Sequence, residues 1–109
     1  IIPYDLECTS KFLYINELNK DEYKILNNEN NIGIKVTWDL KIMPYLWFWQ
    51  EFNKSNYYPW YKMARVLGLE PFSTNIMGLD NTISNKQGLD FKGYSKKTFN
   101  IEISILDDF

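Results

Sequence analysis

The chain has 109 residues, 45% of them hydrophobic and 17% aromatic, with a formal net charge of -2 and no histidine. That length fits one domain with a single core, and the apolar content excludes a disordered chain. Lysines scattered without a stripe or tail leave no electrostatic footprint for nucleic acid, and the longest apolar run, Tyr45 to Trp49, is far short of the roughly 20 residues that span a bilayer.

Ile1 to Ser10 starts apolar and turns polar, and Pro3 interrupts regular pairing; it reads as an entering segment or edge strand. Lys11 to Ile15 is aromatic and β-branched, hence a strand. Asn19 and Glu22 imitate a capping box, with Leu18 and Tyr23 as a hydrophobic staple. The apolar residues stop after Leu26, however, and Asn27 to Asn31 cannot continue a helical stripe. Glu22 to Leu26 is therefore expected to be a short strand before an asparagine-rich turn.

From Ile32 to Ile42 even positions are apolar and odd ones mostly polar, which predicts a strand with one buried face and a bend or bulge at Gly33, stopped by Met43-Pro44. Asp39 falls on its wet face. Tyr45 to Gln50 is apolar on both faces and should be a central, doubly covered strand. Leu46 and Phe48 share one face, and Tyr45, Trp47 and Trp49 the other. A polar loop from Glu51 to Pro59 then leads to a strand ending at Pro71, an antiparallel neighbour of the strand before it.

After Pro71 a long loop, functional or a lid by its length, carries small apolar anchors at Ile76, Leu79 and Ile83. A turn at Lys92-Gly93 follows. Thr98 to Leu106 alternates Phe99, Ile101, Ile103 and Ile105 inward against Asn100, Glu102 and Ser104. Short strands with no convincing helix predict an all-β antiparallel sandwich over residues 1–109, either a single domain or the C-terminal segment of one. A lone Cys8 without histidine gives neither a disulfide framework nor a zinc site, so a reducing, cytoplasmic setting is expected.

The stretch Ala64 to Pro71 is the candidate functional element. On a period of two, Val66, Gly68 and Glu70 share one face, and Arg65, Leu67 and Leu69 the other. Pro71 fixes an extended backbone at Glu70, and Gly68 leaves open floor beside the carboxylate, where a ligand could come close. The same residues also fit a bulge at Gly68 and an exposed strand end at Glu70.

Met43 to Gln50, Leu67-Gly68-Leu69-Glu70-Pro71, Gly88 to Gly93 and Thr98 to Ile105, taken in order, resemble the C-terminal part of the aldose 1-epimerase (galactose mutarotase-like) family, over roughly residues 30 to 106. The resemblance implies a large supersandwich that binds a free sugar on one sheet, without metal or cofactor. It implies Glu70 as general base, taking the proton from the C1 hydroxyl while an acid protonates the ring oxygen. The family's acid is a histidine on an earlier strand; this sequence has none, so the acid would lie outside the chain or activity would be lost. Trp49 and Trp47 would stack against the apolar face of the sugar, although tryptophans in such a two-sided strand are more often core residues. Gln50 could hydrogen-bond sugar hydroxyls and is as easily an edge or interface residue.

The expected partner is thus a small-molecule sugar, with no nucleic acid and no membrane, and the oligomeric state is not set by sequence. A carbohydrate-binding module without catalysis, or a sandwich that offers its aromatic surface to a protein, are the alternatives. The start at Ile1 without a secretory leader pattern predicts a piece of a longer protein. Such a piece should expose strand edges and tend to pair.

Overall fold

The computed structural model describes residues 8–107. Of the expected entering segment, residues 1–7 lie outside that range, and Thr9 and Ser10 open the first strand. The elements are β1 (Thr9–Ile15), β2 (Glu22–Asn27), β3 (Ile32–Trp38), β4 (Tyr45–Phe52), β5 (Arg65–Phe72), α1 (Leu79–Ser84) and β6 (Ile101–Asp107). They form two antiparallel three-stranded sheets, ordered β1-β4-β5 and β2-β3-β6. The fold is all-β and sandwich-like, and none of its described helices is long and apolar enough to cross a membrane.

Local chemistry sets the boundaries. The Asn27 side-chain oxygen accepts from the backbone N–H groups of Glu29 and Asn30 at 3.0 and 3.2 Å, and Asn31 takes a φ of 52°, so the asparagine cluster closes the β2-β3 hairpin. The capping-box pattern yields no helix there, because Tyr23 pairs with Val36 and packs on the core. The alternation from Ile32 is real, but β3 ends at Trp38 rather than Ile42. Asp39 turns the chain: its carboxylate accepts from Lys41 N–H at 2.9 Å, and its carbonyl accepts from Ile42 and Met43. Leu40 and Ile42 still face the core from within that turn. Gly33 makes no bulge; it is buried and pairs in continuous register with Leu26 and Leu106.

The core joins the sheets at one end. Val36 and Trp38 of β3 meet Leu46 of β4 and Met43, flanked by Tyr23, Leu40, Ile42 and Leu69. Trp38, 3% exposed, reaches over the Asp39 turn to donate its indole N–H to the Met43 carbonyl at 2.9 Å. At the other end the sheets splay, and a wedge of about 400 Å³ lined by Ile25, Leu26, Phe48, Leu67 and Leu69 lies between them.

The last strand departs from expectation. Ile101, Ile103 and Ile105 oppose Trp38, Val36 and Ile34, on the apolar face as expected, yet they are 51%, 68% and 72% exposed. The first sheet covers β3 and leaves β6 open. The loop after Pro71 also differs, since it contains α1, where Gly78 at φ 89° starts the turn and its carbonyl accepts from Thr82 N–H at 3.0 Å. Leu79 and Ile83 do not anchor it; both are exposed, and only Ile76 is half-buried. The expected turn at Lys92-Gly93 forms, with Ser95 N–H donating to the Lys92 carbonyl at 3.0 Å.

Trp38→Phe keeps most of the buried ring and removes the indole donor, leaving the Met43 carbonyl without its partner. A loss of roughly 1–3 kcal/mol is expected, read as a lower urea midpoint with unchanged slope.

Candidate functional site

The register of the first sheet decides which predicted residues meet. Trp47 lies opposite Glu70, Trp49 opposite Gly68, and Glu51 opposite Val66; on the other side Tyr14, Phe12 and Ser10 face the same three β4 residues. Directly opposed residues project to one face. Glu70, Trp47 and Trp49 therefore share the face turned away from the second sheet, with Tyr14 and Phe12.

Gly68 sits in unbroken pairing, so it marks no bulge. A β-carbon there would lie 3.0 Å from Glu70 Oε1 and 3.4 Å from Cε3 of the Trp49 ring. The Glu70 carboxylate thus curls back over the glycine towards Trp49, occupying part of the open floor, while its side chain stays exposed. Partial burial of this carboxylate among apolar residues, which would suit a base, is not what the strand provides.

The two tryptophans differ. Trp47 is buried; its indole N–H donates to the Thr74 carbonyl, its ring stacks on Phe72 at 4.0 Å and 16°, and Phe12 and Tyr14 meet it edge-on at 5.4 and 5.2 Å. It holds the loop after β5 to the sheet and has no free face for a ligand. Trp49 is half-buried and tilts against Trp60 with centroids 5.0 Å apart. Gln50 lies on the opposite face, with Leu46 and Phe48, and its amide donates to the Thr9 hydroxyl. Arg65 is on that opposite face too, with its guanidinium 5.3 Å from the Phe52 ring centroid. The structure brings Glu70 and Trp49 together around Gly68 and keeps Gln50 away.

Two side chains at this site were not singled out by sequence. Glu51, expected in a loop, belongs to β4 and is 1% exposed. Its Oε1 accepts from the backbone N–H groups of Lys54 and Ser55, both at 2.8 Å, and its Oε2 from the Ser55 hydroxyl at 2.6 Å. The Ser55 hydroxyl, then the Ser55 N–H, and further the Ser10 hydroxyl and Lys54 N–H, hold its carboxyl at about 2, below its ordinary 4.5, against the opposing effect of burial. This carboxylate folds the β4-β5 loop back on the strand, where Lys62 N–H donates to the Ser55 carbonyl at 2.8 Å. Trp60, on that loop, is thereby set against Trp49. An acidic residue followed at the fourth position by a serine was the available signal.

The loop after β5, expected to be functional or a lid, is clasped: Asn75 N–H donates to the Gln87 side-chain oxygen at 2.9 Å, and the Gln87 amide donates to Asn75 at 2.6 Å. A groove of about 670 Å³ runs along the second sheet past Asn19, Asp21, Asp39, Thr98 and Glu102, and none of Glu70, Trp47, Trp49 or Gln50 lines it. Among the described residues no group of three or more metal-ligating side chains converges. Comparison with protein-family models, with curated proteins and with solved structures finds no match.

Because the Glu51 carboxyl is lowered in the folded chain, its stabilising contribution is fully present above about pH 4.5 and is lost as pH falls towards 2. Acid titration of wild type followed by Trp fluorescence should show this loss in that interval. Glu51→Gln should be less stable at neutral pH and should lack that part of the acid dependence.

Proposed function

We propose that the outer face of the first sheet is a sugar-facing surface and that the chain is aldose 1-epimerase-like, with Glu70 as the base. The observation that carries this reading is the grouping of Glu70 Oε1, the bare backbone of Gly68 and the Trp49 ring. An aldose lying on Trp49, with its apolar C–H face on the indole, would bring its hydroxyls over Gly68 to the carboxylate.

In this reading Glu70 takes the proton of the C1 hydroxyl as the bond from C1 to the ring oxygen breaks and an acid delivers a proton to that oxygen. The open-chain aldehyde turns about its C1–C2 bond and recloses from the other side, with each proton returned to its donor. The resemblance in the order of the motifs supports the assignment, and the position of Trp49 supports the substrate class. Trp47 belongs to the scaffold in this reading, and Gln50 takes no part in it.

A second reading, a carbohydrate-binding surface that performs no chemistry, is favoured by one observation: the chain contains no histidine to serve as acid. Here Trp49 and Trp60 hold the sugar, and Glu70 accepts hydrogen bonds from it.

Polarimetry on fresh α-glucose and α-galactose tests the two. Accelerated anomer exchange that falls by roughly 100-fold or more in Glu70→Gln supports the first reading. Gly68→Ala, whose methyl displaces the carboxylate, should lower exchange several-fold with little change in stability. Sugar binding that disappears in Trp49→Ala, without exchange by the unaltered protein, replaces the first reading with the second.

A further inference from the structure

The two sheets have four outer edges, β1 and β5 in one, β2 and β6 in the other. Exposed edges recruit further strands unless they are blunted, most often by lysine, by proline, or by other charges. Three of the four carry a basic residue, and β5 a proline as well: Lys11 in β1, Lys24 in β2, and Arg65 and Pro71 in β5, whereas β6 carries only the acidic Glu102 and Asp107. The sequence of β6, Ile101-Glu102-Ile103-Ser104-Ile105-Leu106-Asp107, has no lysine, arginine or proline. It is also the strand whose apolar side chains are left most open, and among the described residues nothing pairs with its outer edge.

We propose that β6 pairs antiparallel with β6 of a second copy of this chain, joining the two β2-β3-β6 sheets into one six-stranded sheet. The stretch Ile101 to Ile105 of β6 is complementary to its own reverse. With Ile103 on the two-fold axis, Ile101 faces Ile105 of the copy and Glu102 faces Ser104, so over these five residues each isoleucine meets an isoleucine and no carboxylate meets another. The isoleucines fall on the same face as Val36 and Trp38, so the apolar surface runs unbroken across the axis.

The exposed side chains are consistent with a missing partner: Ile101, Ile103 and Ile105 stand open to solvent on the apolar face of their sheet. A second copy is the occupant these features fit, since self-complementarity about one residue is what an isologous pairing requires and an unrelated strand does not.

Light scattering on the full chain across a dilution series should show a dimer. Ile103→Lys, which places two ammonium groups against each other on the axis, should weaken it by about tenfold or more, while the far-ultraviolet circular dichroism keeps its β shape. Mixing Ile103→Lys with Ile103→Glu should restore dimers, an outcome specific to a residue that faces itself.

Cross-linking gives a reading that does not depend on those variants. Opposed Cα atoms in an antiparallel pair lie about 4.5–5.5 Å apart, within disulfide range. In a Cys8→Ser background, Ile103→Cys should oxidise to a covalent dimer much faster than Ile101→Cys. A monomer at all concentrations overturns the proposal. So does a dimer that Ile103→Lys leaves intact, or equal cross-linking at positions 101 and 103.

Discussion

The fold depends on a strand that has to be covered twice. β4 alternates Leu46 and Phe48 with Tyr45, Trp47 and Trp49, and neither set can be left to water. On one side Leu46 enters the core with Val36, Trp38 and Met43, which fastens the second sheet to the first. On the other side no second layer exists among the described residues. The cover there is improvised from Phe72, Phe12 and Tyr14 and from the loop that Trp47 holds by the Thr74 carbonyl. That second cover is thin and aromatic, and it is the surface on which Glu70 stands.

Two carboxylates on that surface are treated in opposite ways. Glu51 is enclosed by donors from Lys54 and Ser55 and spends its charge on shaping the β4-β5 loop. Glu70, one strand over and nearer the other end of β4, is exposed beside a glycine and an aromatic ring. A charge satisfied by fixed donors has little left to offer a ligand, whereas one that is solvated can exchange water for hydroxyl groups. This difference in hydrogen bonding, rather than residue type, separates the scaffold glutamate from the candidate one. The path from Glu51 through the folded-back loop to Trp60 also means that the wall beside Trp49 is set by a buried carboxylate on the same strand.

Alternation made most of the strands legible, because period-two burial is a local property: β2, β3, β4 and β5 appear near their expected places, and Trp47, Trp49, Gly68 and Glu70 on the expected faces. The end of β3 was not legible, since Leu40 and Ile42 keep the apolar pattern while Asp39 has already turned the chain. Glu51 was missed because its burial comes from a loop folding back, a long-range event that its neighbours do not encode. Gln50 was read by residue type as a sugar ligand although the same alternation puts it with Leu46. The isoleucines of β6 were assigned the correct face, but pattern alone cannot say whether anything lies over that face.

The placement of β6 also fixes the order in which the sandwich can be assembled. The β2-β3 hairpin and the β4-β5 pair close over short connections, whereas β6 reaches β3 only after all of β4, β5 and the clasped loop have intervened. Its docking therefore closes by far the longest loop in the chain, and its exposed isoleucines return little apolar burial for that closure. Of the strands, β6 is the one with the longest closure and the least burial in return, so that the seam of the protein lies between Val36 and Ile103 even though the register of that ladder is unbroken.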